Sequence, residues 1–339
     1  MRLPVTIDGS RGEGGGQVLR TSLALAIITG RKLRLRRIRA GRKRPGLQRQ
    51  HLACVEAAAA LCGARVEGAE LDSQDLAFAP GDARPTELTI DIGSAGSTVL
   101  VAQTVLVPAI ASGRRLRLVI TGGTHNSLAP PFEFLERVFA PHVAAMGARL
   151  TLTLDRHGLM PAGGGRIIID IAEGSALRPI EVVEAGAVVA RRAVAIIAKL
   201  PSHVGERELA VARERLNDPA CELRSFDDAG PNNVFFAEVT LASGARELCT
   251  SHGRKGYPAE DVADDALDDL EDFLEAGVPV GEHCADQLLL PMAVAGGGRF
   301  RTLAPLSLHA TTNIETISAF LDVPIRVAEH EGVADVSIG

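Results

Sequence analysis

The sequence predicts an α/β protein built from three βαβαββ repeats, with a smaller α/β domain inserted into the third repeat. Two observations support the first two repeats. The segments TGRKLRLRRI (29–38) and SGRRLRLVIT (112–121) match at an offset of 83 residues. The segments CGARV (62–66) and MGARL (146–150) match at an offset of 84. Because these offsets agree, we interpret the first 170 residues or so as two copies of one unit.

Each copy reads as a strand, a loop of small residues, an apolar helix, a strand, a glycine-rich loop, a second helix and closing strands. The first helix of each copy is an apolar run of helical length that stops at glycine, and the second stops at Gly-Ala. The segments LTLTL (150–154) and IIIDI (167–171) have the alternation typical of strands. This order of elements is a βαβαββ unit.

The third copy is interrupted. LVPAIASG (106–113) matches LLPMAVAG (289–296) at an offset of 183, which exceeds two periods by roughly 20 residues. The first strand of this copy must lie either before the interruption or just before residue 283. We expect a repeat-built domain at 1–184 and 278–339, and an inserted α/β domain at 185–277.

The inserted segment has its own pattern of elements. Its predicted strands are AGAVVARRAVAI (185–196), CELRSF (221–226) and VFFAEVTL (234–241). Its predicted helices are SHVGERELAVARERL (202–216) and an acidic helix over 258–276. Pro258 suits the first position of that acidic helix, and Gly277 suits its end.

Composition indicates a globular protein, since 46% hydrophobic residues in 339 can fill a core. No stretch reaches the roughly 20 apolar residues that span a bilayer. The first residues, MRLPVTIDGS, hold no apolar run of signal-peptide length. We therefore expect a cytoplasmic protein with no membrane partner. The five cysteines form no CxxC pair and no zinc-like cluster, so we expect them to be reduced.

Charge is spread unevenly along a chain whose net charge is −6. Residues 31–49 include ten Lys or Arg and no acid, whereas residues 260–275 include nine Asp or Glu and no base. A polyanionic ligand would bind the first segment and avoid the second. The alternative is that both segments are solvated faces.

The glycine-rich loop GEGGGQ (12–17) lies between a predicted strand and an apolar helix, where backbone N–H groups can approach a phosphate. It matches neither the Walker A pattern nor the dinucleotide-binding pattern. Glu13 would repel a phosphate unless it holds a divalent cation that bridges to phosphate oxygens. The alternative is a surface turn with an incidental acid.

The segment IRAGRKRPGLQRQH (38–51) places several arginines, among them Arg39 and Arg42, on a loop that enters a helix. A guanidinium group can bind phosphate through two parallel hydrogen bonds. Since the chain has only ten Phe and one Tyr, base stacking along a long RNA is poorly supported. The pattern favours a short terminal segment of nucleic acid as the ligand.

His309 is the candidate nucleophile. It follows the apolar segment LAPLSL, and we expect it at the end of a strand, facing a turn formed by Thr311, Thr312 and Asn313. An imidazole is a competent nucleophile towards phosphorus when a second group fixes its tautomer. The alternative is a structural, hydrogen-bonded histidine, and His125 is a competing candidate whose better role is ligand contact.

The basic loop at 39–42, His125-Asn126 and His309 all occupy the same loop of their respective repeats. Equivalent loops of packed repeats can gather at one end of the assembly. We therefore expect one composite site.

Five segments, in order, closely resemble the RNA 3′-terminal phosphate cyclase family, and the resemblance runs from about Asp8 to Ala319. They are GEGGGQVLRTSLALAIITG (12–30), IRAGRKRPGLQRQH (38–51), GGTHN (122–126), HCADQLLLPMAVAGGGRF (283–300) and LSLHATTNIETI (306–317). The resemblance implies the broad fold of the enolpyruvyl transferases, with three βαβαββ repeats and an inserted domain. It also implies an ATP-dependent enzyme that acts on RNA with a 3′-phosphate end.

The resemblance implies residue roles as well. In that family a histidine at the position of His309 attacks the α-phosphorus of ATP and becomes adenylylated, and AMP then passes to the RNA 3′-phosphate, which closes to a 2′,3′-cyclic phosphate. Glu13 would bind Mg²⁺ or Mn²⁺. The nucleotide would contact Gln103, Pro130, His283, Cys284, Ala285, Asp286 and Gln287. The substrate phosphates and RNA end would contact Arg20, Arg39, Arg42, Gln50, His51 and His125.

One departure from the family pattern is His283-Cys284, where an aromatic residue followed by an aliphatic one is expected. Two other functions stay open at this point. One is a non-catalytic, cyclase-like RNA-binding assembly factor, although such relatives lack the nucleophilic histidine. The other is a small-molecule transferase on the related fold, for which the basic segment 31–49 is larger than a small anion requires.

Overall fold

Three four-stranded sheets of identical topology confirm the repeats. The structure, a computed structural model, describes residues 3–227 and 230–339. In the first repeat the strands are arranged β1-β2-β4-β3, with β1 and β2 parallel and the other neighbours antiparallel. Its elements are β1 (Val5–Asp8), α1 (Gly16–Thr29), β2 (Leu33–Arg36), α2 (Arg49–Cys62), β3 (Arg65–Glu67) and β4 (Leu76–Ala79).

The second repeat has the same order, β5-β6-β8-β7, again with one parallel pair. Its second helix opens with a π-helical segment, Phe134–Phe139, before α4. The remaining elements are β5 (Glu87–Asp91), α3 (Thr98–Ala111), β6 (Leu116–Gly122), α4 (Ala140–Ala145), β7 (Leu150–Arg156) and β8 (Gly165–Ile171).

The third repeat begins before the insertion, which decides between the two positions that the sequence left open for its first strand. That strand is β9 (Glu181–Val182). It pairs in parallel with Gly298–Leu303, the first strand after the insertion, which is separated from the insertion by one helix. The sheet order is β9-β14-β16-β15. The other elements are α7 (Glu282–Ala295), β14 (Gly298–Leu303), α8 (Leu308–Ser318), β15 (Ile325–His330) and β16 (Val333–Ile338).

The inserted segment forms a fourth sheet, ordered β11-β10-β12-β13, with two helices packed on it and a second hydrophobic core between them. Sequence patterns missed β13, and Pro258 caps α6 from outside instead of occupying its first position. We propose 185–277 as the inserted domain. Its elements are β10 (Val188–Ala198), α5 (His203–Arg215), β11 (Ala220–Phe226), β12 (Asn232–Leu241), β13 (Arg246–His252) and α6 (Ala259–Ala276).

The first helices of the repeats, α1, α3 and α7, pack together in the main core. α3 is apolar almost throughout, and eleven of its residues are buried. Because these helices are surrounded by protein, they lack the polar face of a surface helix. No helix in the described residues is long and apolar enough to cross a membrane.

The loops after the parallel strands meet at one end of the main core. Gln17 at the start of α1 contacts Asp286 on α7, and Glu13 contacts Thr312 on α8. At the start of α2, Gln50 accepts a hydrogen bond from the backbone N–H of Ser97, which caps α3. Helix starts from all three repeats are therefore joined around one region.

Candidate active site

The glycine-rich loop holds Glu13 against α8. Gly12 and Gly14 have positive φ angles of 57° and 60°, which glycine adopts without strain. A side chain at Gly12 would also collide with Thr312, since an added Cβ would lie 2.1 Å from its Oγ1. This close approach lets the backbone N–H of Glu13 donate to Thr312 Oγ1 at 2.9 Å.

His309 lies in the first turn of α8, so the expectation that it ends a strand is wrong. Ser307 accepts a hydrogen bond from the backbone N–H of Ala310 at 3.2 Å and caps the helix. Thr311, Thr312 and Asn313, expected in a turn, are helical. A serine at this position is a standard N-terminal signal, and it could have been read from the sequence.

The imidazole of His309 is half exposed and held at one nitrogen. Its Nδ1 lies 3.0 Å from Gln17 Oε1. Its Nε2 lies 4.0 Å from Glu13 Oε1, and 52% of the side chain is exposed. A group that is anchored on one side and open on the other can meet a ligand.

Asp286 orients the amide of Gln17, and this orientation determines the tautomer of His309. The Gln17 side-chain NH₂ donates to the Asp286 carboxylate. Asn313 donates to the same carboxylate oxygen at 3.0 Å. Because a carboxylate only accepts, the Gln17 oxygen must face His309, whose Nδ1 then carries the proton. The lone pair of Nε2 is left on the open side, and this role of Gln17 was missed from the sequence.

Burial raises the pKa of Asp286, while nearby His309 and Arg20 and the hydrogen bonds from Gln17 and Asn313 oppose the rise. Burial lowers the pKa of Arg20, and the charge of Asp286 is among the groups that oppose this shift. These two partly buried side chains thus carry opposite charges near His309.

His51 lies beside the glycine-rich loop as a neutral imidazole. Burial, followed by the charges of Arg39 and Arg20, lowers its pKa to about 3. Its Nδ1 accepts the backbone N–H of Gln48 at 3.1 Å, so Nε2 carries the proton. A Cβ at Gly16 would lie 2.7 Å from that Nε2, so only glycine permits this packing.

The two arginines of the basic loop have different environments. Arg42 contacts the Glu13 carboxylate and donates to the Glu13 carbonyl oxygen at 2.9 Å. Arg39 donates to the carbonyl oxygens of Arg44 and Gly46, at 2.7 and 2.8 Å, and so braces the loop. Burial lowers the pKa of Arg39. Arg42 therefore lies in the site, while one edge of Arg39 is used in holding the loop.

His125 does not face the site, contrary to the ligand contact expected of it. Its side chain is fully buried, with Nε2 2.8 Å from Glu133 Oε2. Its Nδ1 lies 2.8 Å from Thr124 Oγ1, and its ring stacks on His157. Arg224 donates to the same Glu133 at 2.6 Å, which ties this cluster to the inserted sheet. Burial by itself would raise the pKa of Glu133, but contacts with His125 and Arg224 outweigh this effect. The pKa of Glu133 therefore lies well below its usual range.

A cavity of about 530 Å³ opens beside His309 and Arg20. Of the expected nucleotide contacts, Gln103, Pro130, His283, Asp286 and Gln287 line it. Gln103 Nε2 and Gln287 Oε1 are buried without a hydrogen-bond partner in the described part of the chain. Buried polar atoms normally have partners, so these two suit a polar ligand.

Cys284 and Ala285 do not line this cavity, which corrects their expected role. Both are buried in the main core, on the side of α7 opposite His283, Asp286 and Gln287. The helical period explains this, since positions i, i+3 and i+4 share a face. Burial, together with the charge of Glu247, raises the pKa of Cys284 well above its usual value.

The cavity's other wall comes from the inserted domain. Glu247, Leu248, Thr250 and His252 on β13 line it, as do Asp269, Asp272 and Phe273 on α6. The four residues of β13 were not marked by any motif, because the sequence patterns missed that strand. The three residues of α6 belong to the predicted acidic helix, but no motif marked them as part of a site.

Glu13 fits a divalent ion that is shared with a phosphate. Its Oε2 accepts the backbone N–H of Gly15 at 2.7 Å, and the side chain is 9% exposed. Mg²⁺ is commonly bound by one or two carboxylates together with substrate phosphates. Among the described residues, the one cluster with metal-ligand spacing is His125, Glu133 and His157, where Arg224 already pairs with the glutamate.

The repeats bring Glu13 and Arg42 together near His309, which lines the cavity with Arg20. This arrangement defines a repeat-built α/β enzyme. The model of the RNA 3′-terminal phosphate cyclase family matches residues 11–327. Similar curated proteins, each named RNA 3′-terminal phosphate cyclase, come from Koribacter versatilis, Ectopseudomonas mendocina and Pseudomonas fluorescens. The Koribacter protein is 44% identical, over 98% of this chain and 94% of its own. The other two are 45% and 47% identical, over 95% of this chain and 94% and 93% of theirs. The chain belongs to the RNA 3′-terminal phosphate cyclase family.

Proposed function

We propose that this enzyme uses ATP to convert an RNA 3′-terminal phosphate to a 2′,3′-cyclic phosphate through a covalent histidine-AMP intermediate. The observation that carries the proposal is the hydrogen bond from His309 Nδ1 to Gln17 Oε1 at 3.0 Å. It leaves the Nε2 lone pair open, as a nucleophile requires.

In the first step, His309 Nε2 attacks the α-phosphorus of ATP. A nitrogen–phosphorus bond forms as the bond to pyrophosphate breaks, and the imidazole becomes positively charged. The Gln17 oxygen and the Asp286 carboxylate behind it favour this charge. Arg20, which lines the cavity beside His309, would bind the phosphates.

In the second step, an oxygen of the RNA 3′-phosphate attacks the AMP phosphorus and releases His309. The adjacent 2′-hydroxyl then attacks the RNA phosphorus, loses its proton, and displaces AMP. Arg42 would hold the 3′-phosphate, since its guanidinium contacts the Glu13 carboxylate and its side chain is 45% exposed. The neutral His51 and the loop braced by Arg39 would complete the RNA-end site.

Glu13 would hold Mg²⁺ or Mn²⁺ together with phosphate oxygens. When bound, the ion neutralises charge that develops on the phosphoryl oxygens. The contact between Arg42 and Glu13 would then be exchanged for contacts of each group with the ligands.

The alternative function, a non-catalytic RNA-binding assembly factor, needs no nucleophile. The anchored His309 lies 4.0 Å from Glu13, and this pairing favours the enzyme.

The test is the formation of a protein–AMP adduct. We expect α-labelled ATP and Mg²⁺ or Mn²⁺ to leave one acid-labile, hydroxylamine-resistant AMP on the protein, located by mass spectrometry at His309. His309→Ala should abolish the label. The matched control is His330→Ala, since His330 is also half exposed but contacts Asp335, on the sheet of the third repeat. An equal yield of label on His309→Ala would show that another residue is the nucleophile.

A further inference from the structure

The inserted domain contributes an edge strand to the cavity. Among the described strands, β13 has only β12 as a neighbour in its sheet, and the free side of a strand can contact a ligand. Glu247 on this strand is 5% exposed, yet it lines the cavity. Its Oε2 has no hydrogen-bond partner among residues 3–227 and 230–339. A buried polar atom without a partner, on a residue that lines a cavity, points to a ligand.

The carboxyl group of Glu247 lies against the start of α7. A Cβ added to Gly281 would lie 2.2 Å from Glu247 Oε2, so only glycine admits this contact. Gly281 caps α7 two residues before His283, which lines the same cavity. Glu247 is thus fixed beside the helix that carries the expected nucleotide contacts.

Charge assigns the two ends of the cavity to different parts of a nucleotide. Four of the nine acids of α6 pair with arginines of α5. Arg215 pairs with Asp264, Asp268 and Glu271, and Arg207 pairs with Glu260. The carboxylates of Asp269, Asp272 and Glu282 instead line the end of the cavity that also holds Glu247. Phosphates would be repelled from this end and attracted to Arg20 and His309 at the other. The base of the nucleotide therefore belongs beside β13.

We propose that Glu247 of the inserted domain binds the polar edge of the adenine base, donating from its carboxyl O–H to ring N1 and accepting from the 6-amino group at its carbonyl oxygen. The inference rests on the proposed use of ATP. It gives the inserted domain a direct part in nucleotide binding. The pair resembles the two-bond contact that Asn and Gln amides make with adenine.

The protonation of Glu247 matches this contact. Burial raises its pKa to about 8, against the lowering effect of the backbone N–H groups of Gly281 and Leu248. At pH 7 the carboxyl is therefore mostly neutral and has both a donor and an acceptor. Above pH 8 the carboxyl group loses its proton. The resulting carboxylate could not donate a hydrogen bond to the lone pair of N1. The other titratable groups around it are Cys249 and His252 on β13, Asp269 and Asp272 on α6, and Glu282, His283 and Cys284 on α7.

The experiment is calorimetric titration with α,β-methylene-ATP, which cannot transfer AMP, at constant Mg²⁺. For the wild type we expect affinity to fall about tenfold between pH 7 and pH 9, because the proton on Glu247 is lost. Glu247→Gln should bind well at pH 7 and lose this fall. Glu247→Leu should weaken binding about tenfold at pH 7. The loss of affinity caused by Glu247→Leu should be smaller for the analogue that has hydrogen in place of the 6-amino group.

The matched control is Glu208→Gln. Glu208 is a buried glutamate of the same domain whose pKa burial raises to about 7, and it does not line the cavity. Its variant should keep the wild-type pH profile. A pH fall that persists in Glu247→Gln, or unchanged affinity in Glu247→Leu, would overturn the inference. After either of these negative results, the proposed function would still stand if the wild type bound the analogue and formed the AMP adduct. If the wild type neither bound the analogue nor formed the adduct, the proposed function would be overturned as well.

Discussion

Replacing Gln17 with Met tests whether the amide sets the reactive tautomer of His309. Gln17 is 6% exposed, and methionine has a similar length and volume, so packing in α1 should survive. The variant removes both the acceptor for His309 Nδ1 and the donor to Asp286. Asp286 keeps its hydrogen bonds from Asn313.

The expected magnitude follows from the lost hydrogen bond. At 3.0 Å, the contact between His309 Nδ1 and Gln17 Oε1 has normal geometry. Such a bond contributes about 1 kcal/mol when neutral and about 1.5–3 kcal/mol when one partner is charged. The imidazole is charged once phosphorus is attached, so most of the loss falls on the transition state. Since about 1.36 kcal/mol is tenfold in rate, adenylylation should slow roughly 10- to 100-fold.

The assay is single-turnover formation of the protein–AMP adduct at saturating ATP, with ATP affinity measured separately. ATP affinity should change less than about threefold, because Gln17 acts on the nucleophile and not on the bound nucleotide. The control is Thr21→Val, which removes the hydroxyl that donates to Asn313 at 2.9 Å and leaves the bond between Gln17 and His309. An adenylylation rate for Gln17→Met within twofold of the wild type, or an equal loss in Thr21→Val, would refute the reasoning.

Three further outcomes are expected. Arg42→Ala should weaken binding of a 3′-phosphorylated oligonucleotide about tenfold and leave its 3′-hydroxyl counterpart unchanged, whereas Arg44→Ala, which removes an exposed charge of the same loop, should affect both equally. His125→Ala should lower the free energy of unfolding by about 2–4 kcal/mol in urea titrations, because it breaks the buried pair with Glu133. The folded variant should still form the AMP adduct. Loss of adenylylation at unchanged stability would instead indicate a direct role for His125. Burial lowers the pKa of His142 to about 4, so the unfolded chain alone takes up its proton below pH 6.5. Wild-type stability should therefore fall, relative to His142→Phe, by about 1.4 kcal/mol per pH unit from pH 6.5 down to about 4, and parallel pH profiles would contradict this.

Much of the fold could be predicted because the repeats end their helices in the same way. Gly30, Gly63 and Gly296 each follow a helix and adopt positive φ, and such stops leave a pattern that survives divergence of the core. Strand β13 was missed because its segment, RELCTSH, has no run of β-branched residues and takes its conformation from pairing with β12.

The candidate site could be predicted only in part. Glu13, Arg42 and His309 were chosen correctly as neighbours, since equivalent loops of packed repeats gather at one end of the assembly. His125 occupies an equivalent loop, but its side chain turns into the core to meet Glu133 and His157. Loop position in a repeat predicts where a backbone lies, whereas the direction of a side chain depends on its packing partners.

The sequence alone therefore determined the repeat architecture, the family resemblance and the loops that form the site, because local turn chemistry and motif spacing are written along the chain. Tertiary structure alone decided which atom of His309 is open, because Gln17 and Asp286 lie 292 and 23 residues away from it along the chain. It also decided that Glu247 of the inserted domain lines the cavity. Hydrogen-bond direction and the burial of a carboxyl group depend on elements that meet only when the chain is folded.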